Sequence, residues 1–159
     1  MPYKIPQSVL VVIHTPDLQV LLLERADRPG YWQSVTGSLD TPDEPLAATA
    51  AREVAEETGL IAAEHQLEDW HHTLDYEIFP QWRHRYAPGV TRNTEHWFGL
   101  RVARPVPVTL APREHLRWQW LPWREAAALC FSSSNAQAVL QLDWRVQGQA
   151  RPVSCGADS

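Results

Sequence analysis

Two apolar runs rich in valine, isoleucine and leucine lie near the start of the chain, at residues 8–14 and 19–25. Runs of this length and composition favour strands, and the residues between them include Pro16, which is typical of a turn. We therefore predict a hairpin of two central strands. A short extended segment at residues 31–36 ends at Gly37, and we expect a loop after it.

A helical pattern follows at residues 44–58. Apolar side chains recur on one side of this segment, and acidic side chains occupy the other. Gly59 directly after it is typical of a helix end. Further along, the pattern predicts paired long strands at 67–79 and 94–102 across an irregular segment 80–93, a strand through 114–120, and helices at 122–131 and 133–144.

Length and composition indicate one globular unit. A chain of 159 residues can bury a core without disulfide staples. We assign residues 1–146 to one domain and the small, polar residues 147–159 to a disordered tail. The 19 acidic residues outnumber the 14 basic ones, which argues against nucleic-acid and membrane partners.

The two cysteines, Cys130 and Cys155, form neither a disulfide framework nor a metal-binding motif. The N-terminal residues lack the long apolar stretch of an export signal or a membrane span. We therefore expect a cytoplasmic protein. Its oligomeric state stays open.

Three carboxylates on the predicted helix 44–58 are the strongest chemical signal. Glu53, Glu56 and Glu57 stand at i, i+3 and i+4, so they share one helix face. Like charges at this spacing repel, and a divalent metal such as Mg²⁺ is the natural partner for a set of carboxylate oxygens. The alternative is a solvated acidic face with no ligand.

A longer motif contains these acids. It combines Gly37, Glu44 and residues 52–60, REVAEETGL. The motif resembles the Nudix box, the signature of the Nudix hydrolase superfamily. Six residues separate Gly37 from Glu44, one more than is usual. Glu44 keeps the usual distance from Arg52, so we place the extra residue in the loop around Thr41, since loops absorb insertions more easily than helices.

The resemblance implies a fold, a cofactor and a set of roles. The fold is α/β, a Nudix-type α/β/α sandwich with a mixed β-sheet. The reaction is hydrolysis of a phosphoanhydride, with Mg²⁺ as cofactor and Mn²⁺ as a possible substitute. The implied catalytic residues and metal ligands are Glu53, Glu56 and Glu57, with Glu114 as a further metal ligand. The implied structural residues are Gly37, Glu44, Arg52 and Gly59, with Arg52 paired to Glu44.

Blocks outside the box narrow the resemblance. Residues 31–37, 77–79, 83–95 and 114–116 resemble the bacterial dihydroneopterin triphosphate diphosphatase family of folate biosynthesis. This resemblance implies hydrolysis of a small-molecule triphosphate, 7,8-dihydroneopterin triphosphate, to its monophosphate and diphosphate. One alternative is a housekeeping (d)NTP diphosphatase acting, for example, on dATP, because purine and pterin are both fused rings. Another is a binding module of the same fold without turnover.

We predict a substrate-binding set, in which matched family positions imply Lys4 and Arg25, and residue type and place in the chain indicate the others. Its members are Lys4, Arg25, Thr36, Tyr76, Glu77, Ile78, Phe79, Arg83, Arg85, Ser132 and Asn135. Independently of the resemblance, Arg83, Arg85 and Arg92 cluster cations in one loop of an acidic protein. Guanidinium forks suit phosphate oxygens, so this loop is a candidate triphosphate site.

Each of these assignments has a simpler alternative. The loop arginines could pair with nearby acids or stack on Trp82 and Tyr86, and Lys4 could be an ordinary surface cation. Ser132 could cap the helix that follows it. Glu114 could be a solvent-exposed acid. The sequence assigns no role to Glu95.

Overall fold

The structure is a computed structural model of the chain and describes residues 3–146. This range contains the strands β1 (Gln7–His14), β2 (Gln19–Arg25), β3 (Trp32–Gln33), β4 (Val35–Ser38), β5 (Gln66–Glu77), β6 (Arg92–Arg101) and β7 (His115–Pro122). It contains the helices α1 (Leu46–Thr58), α2 (Trp123–Leu129), α3 (Ser133–Leu140) and α4 (Leu142–Val146). Short 3-10 helices lie at Ala62–Glu64 and Pro80–Arg85. The predicted tail 147–159, with Cys155, lies outside the described residues.

The strands form one mixed sheet. Its main path runs β3-β2-β1-β6-β5, with β4 paired to β1 and β7 paired to β2. β1 and β6 are parallel, and the other pairs are antiparallel. On the edge away from β6, β1 pairs with β4 along residues 8–11 and with β2 at His14. Residues of β1, β4 and the end of β2 all line the cavity described below.

A separate core covers each face of the sheet. Successive side chains of a strand point to opposite faces, so Val9 and Leu10 of β1 belong to different cores. The core that contains Val9 includes Val54 of α1. The core that contains Leu10 includes Ala126 of α2 and Val139 of α3. The predicted α/β/α sandwich with a mixed sheet is therefore confirmed.

Several predicted helix boundaries were wrong. α1 begins at Leu46 and not at residue 44, because Pro45 is the N-cap in an extended conformation and proline disfavours helical backbone at the residue before it. The segment predicted as one helix at 133–144 breaks at Gln141 into α3 and α4, and the break lets Leu142 enter the core with no exposure. α2 ends at Leu129, before the predicted residue 131.

The predicted helix stop at Gly59 was correct. Gly59 has φ of 75°, in the left-handed region that glycine tolerates best, and its N–H donates to Ala55 O. α1 is thus fixed at 13 residues. Across residues 3–146, none of the helices combines the length and apolar character needed to span a membrane.

Candidate active site

Helix α1 carries the predicted acids at the edge of a cavity. Its inner side, with Ala50 and Val54, packs into the core. Glu53 and Glu57 are also buried, at 9% and 2% exposure, and Glu57 lines the cavity. The side chain of Glu56 is 53% exposed. The three acids predicted to share one face are therefore two buried carboxylates and one exposed carboxylate.

Among the described residues, no arginine or lysine forms a salt bridge with the buried acid Glu57. Burial raises its pKa well above the usual range, and the hydrogen bond and charge of Glu53 raise it further. Within the described residues, Glu57 Oε1 has no hydrogen-bond partner. His115 Nε2 is 3.8 Å away, but burial lowers the pKa of His115 to about 4. The imidazole is therefore neutral at pH 7 and adds no positive charge.

Arg52 holds the acidic helix against the preceding loop. Its Nε and Nη2 donate to the two oxygens of Glu44, both at 3.0 Å. Nη1 donates to Glu53 Oε2 at 2.9 Å and to Glu56 Oε1 at 3.4 Å, and Nη2 also donates to Ser38 O at 3.1 Å. The structure thus brings together the pair predicted from the motif, with Glu44 as the partner and the extra residue in the loop before it.

Gly37 of β4 lies directly against the carboxylate of Glu53. A Cβ atom at Gly37 would lie 2.0 Å from Glu53 Cδ and 2.3 Å from each carboxylate oxygen. Real side chains do not approach this closely. The glycine is therefore required for Glu53 to occupy this position.

Gly37→Ala is expected to keep the fold and to lower kcat/KM by about 100-fold, the scale of a misplacement of about 1 Å at a reacting centre. The added methyl displaces the carboxylate of Glu53, which is the end of a side chain, so the backbone does not have to move. Activity and Tm are measured for Gly37→Ala, Glu53→Ala and the double variant. Because the effect acts through Glu53, the double variant should be little worse than Glu53→Ala. Additive losses would contradict this explanation.

Of the three helix acids, Glu57 lines a cavity of about 440 Å³, which is in the range of small-molecule sites. Predicted residues that line it are Lys4, Arg25, Thr36, Gly37, Glu57, Tyr76, Glu77, Ile78, Phe79, Arg85, Glu114, Ser132 and Asn135. Arg83 is not among the described cavity-lining residues; it donates to Glu77 Oε2 at 3.0 Å and to Ile78 O at 2.9 Å. Arg92 donates to Asp75 O at 3.4 Å. The predicted arginine cluster therefore supplies one member, Arg85, to the cavity.

Asp27 is a cavity residue that the sequence reasoning missed. Its Oδ1 accepts from Arg25 Nε at 2.7 Å, and its Oδ2 accepts from Arg25 Nη2 at 2.8 Å and from Arg85 Nη2 at 2.9 Å. These bonds lower the pKa of Asp27, chiefly through Arg25. The guanidinium of Arg25 also lies 4.4 Å from the ring centroid of Trp82. One carboxylate thus fixes two guanidinium groups at the cavity wall.

Aromatic rings form another wall. Phe131 stacks on Tyr31 at 4.9 Å and meets Phe79 and Trp82 edge-on, each at 6.0 Å between centroids. Phe79 was predicted, whereas Phe131 was not. It lies at the end of a predicted helix, and the sequence gives no sign that this end faces β3 and the 3-10 helix at Pro80–Arg85.

Buried polar groups lie where β6 meets the start of α3. Glu95 is 4% exposed and accepts from Trp97 Nε1 at 3.0 Å. Asn135 is 2% exposed, and its Oδ1 accepts from Ser34 N at 2.8 Å. Ser132 caps α3 by accepting from Asn135 N at 3.2 Å. Both Glu95 and Asn135 line the cavity.

Comparisons with known proteins agree on the family. Residues 4–142 match the NUDIX domain. The chain is 49% identical over 143 residues to the dihydroneopterin triphosphate diphosphatase of Escherichia coli strain K12, covering 88% of this chain and 93% of that protein. It is 42% identical over 142 residues to the Haemophilus influenzae protein of the same name, covering 87% and 88%. The solved structure of the E. coli dihydroneopterin triphosphate pyrophosphohydrolase matches with a TM-score of 0.82 and 46% identity, covering 89% of this chain and 97% of that one.

Proposed function

The chain belongs to the Nudix family, and from that membership we propose that it is a Mg²⁺-dependent diphosphatase acting on 7,8-dihydroneopterin triphosphate. The products are dihydroneopterin monophosphate and diphosphate. Relatives of this name match the chain over most of its length. The observation that carries the proposal is the buried acid pair Glu53 and Glu57 beside a cavity that also contains Lys4, Arg25 and Arg85.

The residues present fit a divalent cation that is completed by water and substrate. In the described part of the chain, no three acidic, histidine or cysteine side chains are grouped so that they could hold a metal ion by themselves. Mg²⁺ usually takes few protein carboxylates and keeps water or phosphate at its other positions. Glu57 Oε1 is buried and unpaired, and the charge of Glu114 raises the pKa of Glu57 further. We assign Glu53, Glu57 and Glu114 as ligands, with Glu56 as an outer acid.

Such a cation, when bound, would neutralise phosphate charge and acidify a water molecule. The protein's own residues then supply position. Arg25 and Arg85, held by Asp27, present guanidinium groups that suit phosphate oxygens. Lys4 adds an amine whose pKa is lowered, mainly by burial and then by Arg85. Arg52 restrains the carboxylate of Glu53. This metal-binding side chain is therefore already in place before the reaction begins.

The rest of the cavity suits a planar ring. Phe79 and Phe131 offer apolar surfaces, against which a fused heterocycle can stack. A pterin with a triphosphate tail therefore has an aromatic site at one part of the cavity and cations and acids at another. Residues 1–146 are proposed to act as a single Nudix domain. The cytoplasmic location favoured by the cysteine usage stays a prediction.

Purified protein is tested by following diphosphate release from dihydroneopterin triphosphate and from dATP, with Mg²⁺ and with EDTA. We expect the higher kcat/KM for dihydroneopterin triphosphate and loss of both activities in EDTA. A clear preference for dATP would replace the proposed substrate by a deoxynucleotide. Undiminished release in EDTA would reject the metal assignment. Binding of both ligands without any release would indicate a module that has lost turnover.

A further inference from the structure

Glu95 is a buried carboxylate on strand β6, away from the acidic helix α1. β6 places it between Ser8 of β1 and Leu74 of β5, on the sheet face that α3 covers. It is 4% exposed, yet it lines the cavity. Within residues 3–146 it takes part in no salt bridge. Its protein partners are neutral donors, the indole of Trp97 and the hydroxyl of Ser134.

A carboxylate buried with neutral donors retains acceptor capacity. Each carboxylate has two oxygens and about four acceptor sites. Trp97 Nε1 takes one site on Oε1, at 3.0 Å. Burying such a group without full hydrogen bonding is costly, and the cavity is where a ligand can supply the missing donors. Burial raises the pKa of Glu95, which is consistent with incomplete compensation.

Asn135 supplies a hydrogen-bond donor near the acceptor oxygens of Glu95. Its Oδ1 is used by Ser34 N, which fixes the amide orientation and leaves Nδ2 as a donor. Among the described residues, this Nδ2 is buried and has no hydrogen-bond partner. Because Ser134, the preceding residue, hydrogen bonds to Glu95, the unpaired donor and the carboxylate lie in the same part of the cavity. A ligand edge that donates to one and accepts from the other would satisfy both.

We propose that Glu95 and Asn135 determine specificity by binding the 2-amino-4-oxopyrimidine ring of the substrate. Glu95 accepts from the exocyclic 2-amino group and the adjacent ring N–H, and Asn135 Nδ2 donates to the 4-oxo oxygen. This donor, donor, acceptor edge is shared by pterin and guanine. Phe131 and the neighbouring rings cover the faces of the bicycle. The inference rests on the proposed function, since it takes the substrate to be a fused-ring triphosphate.

The first test uses the unmodified protein and two nucleotides that differ by one amino group. dGTP carries the 2-amino group, and dITP lacks it. We expect kcat/KM to be about 10- to 100-fold higher for dGTP, the range expected for one hydrogen bond to a charged group. The difference should lie mainly in KM. Equal kcat/KM values for the two nucleotides would overturn the assignment of Glu95 to the 2-amino group.

The second test is Glu95→Gln. The amide has a single oxygen, and if Trp97 Nε1 retains it, the NH₂ group faces the donor edge of the ring. We expect the ratio of kcat/KM for dGTP over dITP to fall to about threefold or less, by loss of a hydrogen bond to a charged acceptor. Glu24→Gln is the matched control. Glu24 is also 4% exposed but accepts from Gly30 N and Arg117 Nε and is not among the cavity-lining residues described.

The two variants separate specificity from folding. A lower Tm in both Glu95→Gln and Glu24→Gln, with the dGTP to dITP ratio of kcat/KM unchanged in both, would show that Glu95 is structural. That result would overturn the proposal. A collapsed ratio in Glu95→Gln alone supports it. The function itself is judged separately. If dihydroneopterin triphosphate is not hydrolysed but the dGTP to dITP ratio is high, the proposed substrate fails and the ring assignment stands. If it is hydrolysed but the ratio is near one, the ring assignment fails alone.

Discussion

Glu57→Gln is expected to lower kcat by about 1000-fold, which corresponds to about 4 kcal/mol of activation barrier. The change keeps the size and shape of the side chain and removes one negative oxygen ligand. Glu57 is almost fully buried and lines the cavity. A water molecule therefore does not easily take the place of the lost carboxylate oxygen, and it carries no negative charge. The loss in kcat should persist at saturating Mg²⁺. Excess Mg²⁺ can fill a weakened metal site, but it cannot restore the missing negative charge of the ligand.

The same substitution is expected to stabilise the metal-free protein. Burial raises the pKa of Glu57 well above its usual value of about 4.5, so at pH values between the two the folded state holds a proton that the unfolded state has lost. Stability therefore falls as pH rises from 4.5 through the folded-state pKa. Glutamine has no proton to lose. At pH 8 in EDTA, Glu57→Gln should be more stable by about 1 kcal/mol or more.

Turnover and thermal unfolding are measured on the same preparations, with and without Mg²⁺. Mg²⁺ should raise the Tm of the unmodified protein more at pH 8 than at pH 6, and it should raise that of Glu57→Gln much less. Glu56→Gln is the matched control, because Glu56 is adjacent and its side chain is 53% exposed. Its loss of activity should be far smaller. Near-normal turnover in both Glu57→Gln and Glu53→Gln would reject the metal assignment.

Local features of the fold could be predicted because they depend on neighbouring residues. The hairpin of β1 and β2 and the stop of α1 at Gly59 follow from apolar runs and turn residues a few positions apart. The start of α1 was missed by two residues, although Pro45 carries the information. The break at Gln141 had no local signal, because it depends on Leu142 finding space in the core.

The candidate site divides in the same way. Glu53 and Glu57 could be found from their helical spacing, and Gly37 from the resemblance of the surrounding motif to the Nudix box. Asp27 could not, since its importance arises when Arg85, 58 residues away, reaches it. The division of the three acids into buried and exposed members was also beyond the sequence. Helix periodicity gives a shared face but not how deeply the neighbouring β4 covers each residue.

Arg52→Gln is expected to lower both stability and activity. The substitution removes the two-pronged bond to Glu44 and the bonds to Glu53 and Ser38 O. Arg52 has a side chain 22% exposed and Glu44 one 14% exposed, so part of the pairing energy is screened. We expect a loss of about 3 kcal/mol in the free energy of unfolding, at the low end for a broken buried pair. This loss is measured by urea denaturation in EDTA.

The pH dependence identifies the partner. Hydrogen bonds from Arg52 first, and then from the N–H of Asp40, lower the pKa of Glu44 from 4.5 to about 2. A depressed carboxyl pKa stabilises the fold above the unfolded value, and this contribution disappears as pH falls through the folded value. The difference in stability between the unmodified protein and Arg52→Gln should therefore narrow from pH 5 toward pH 2. A difference that is constant with pH would indicate that Glu44 is not the main partner.

Activity is subject to two opposing effects of Arg52→Gln. Removal of the guanidinium leaves the charges of Glu53 and Glu56 without their neighbouring cation, which favours metal-ion binding, but it also releases the carboxylate of Glu53 from its position. We expect position to dominate, with kcat/KM lowered by about 10- to 100-fold, as for other residues that orient metal ligands. Arg52→Lys is the discriminating control, because lysine keeps the charge and loses the fork. If Arg52→Lys matches the unmodified protein in both stability and turnover, charge alone explains the role of Arg52. If it behaves like Arg52→Gln, the geometry of the guanidinium is required to hold Glu44 and Glu53 together.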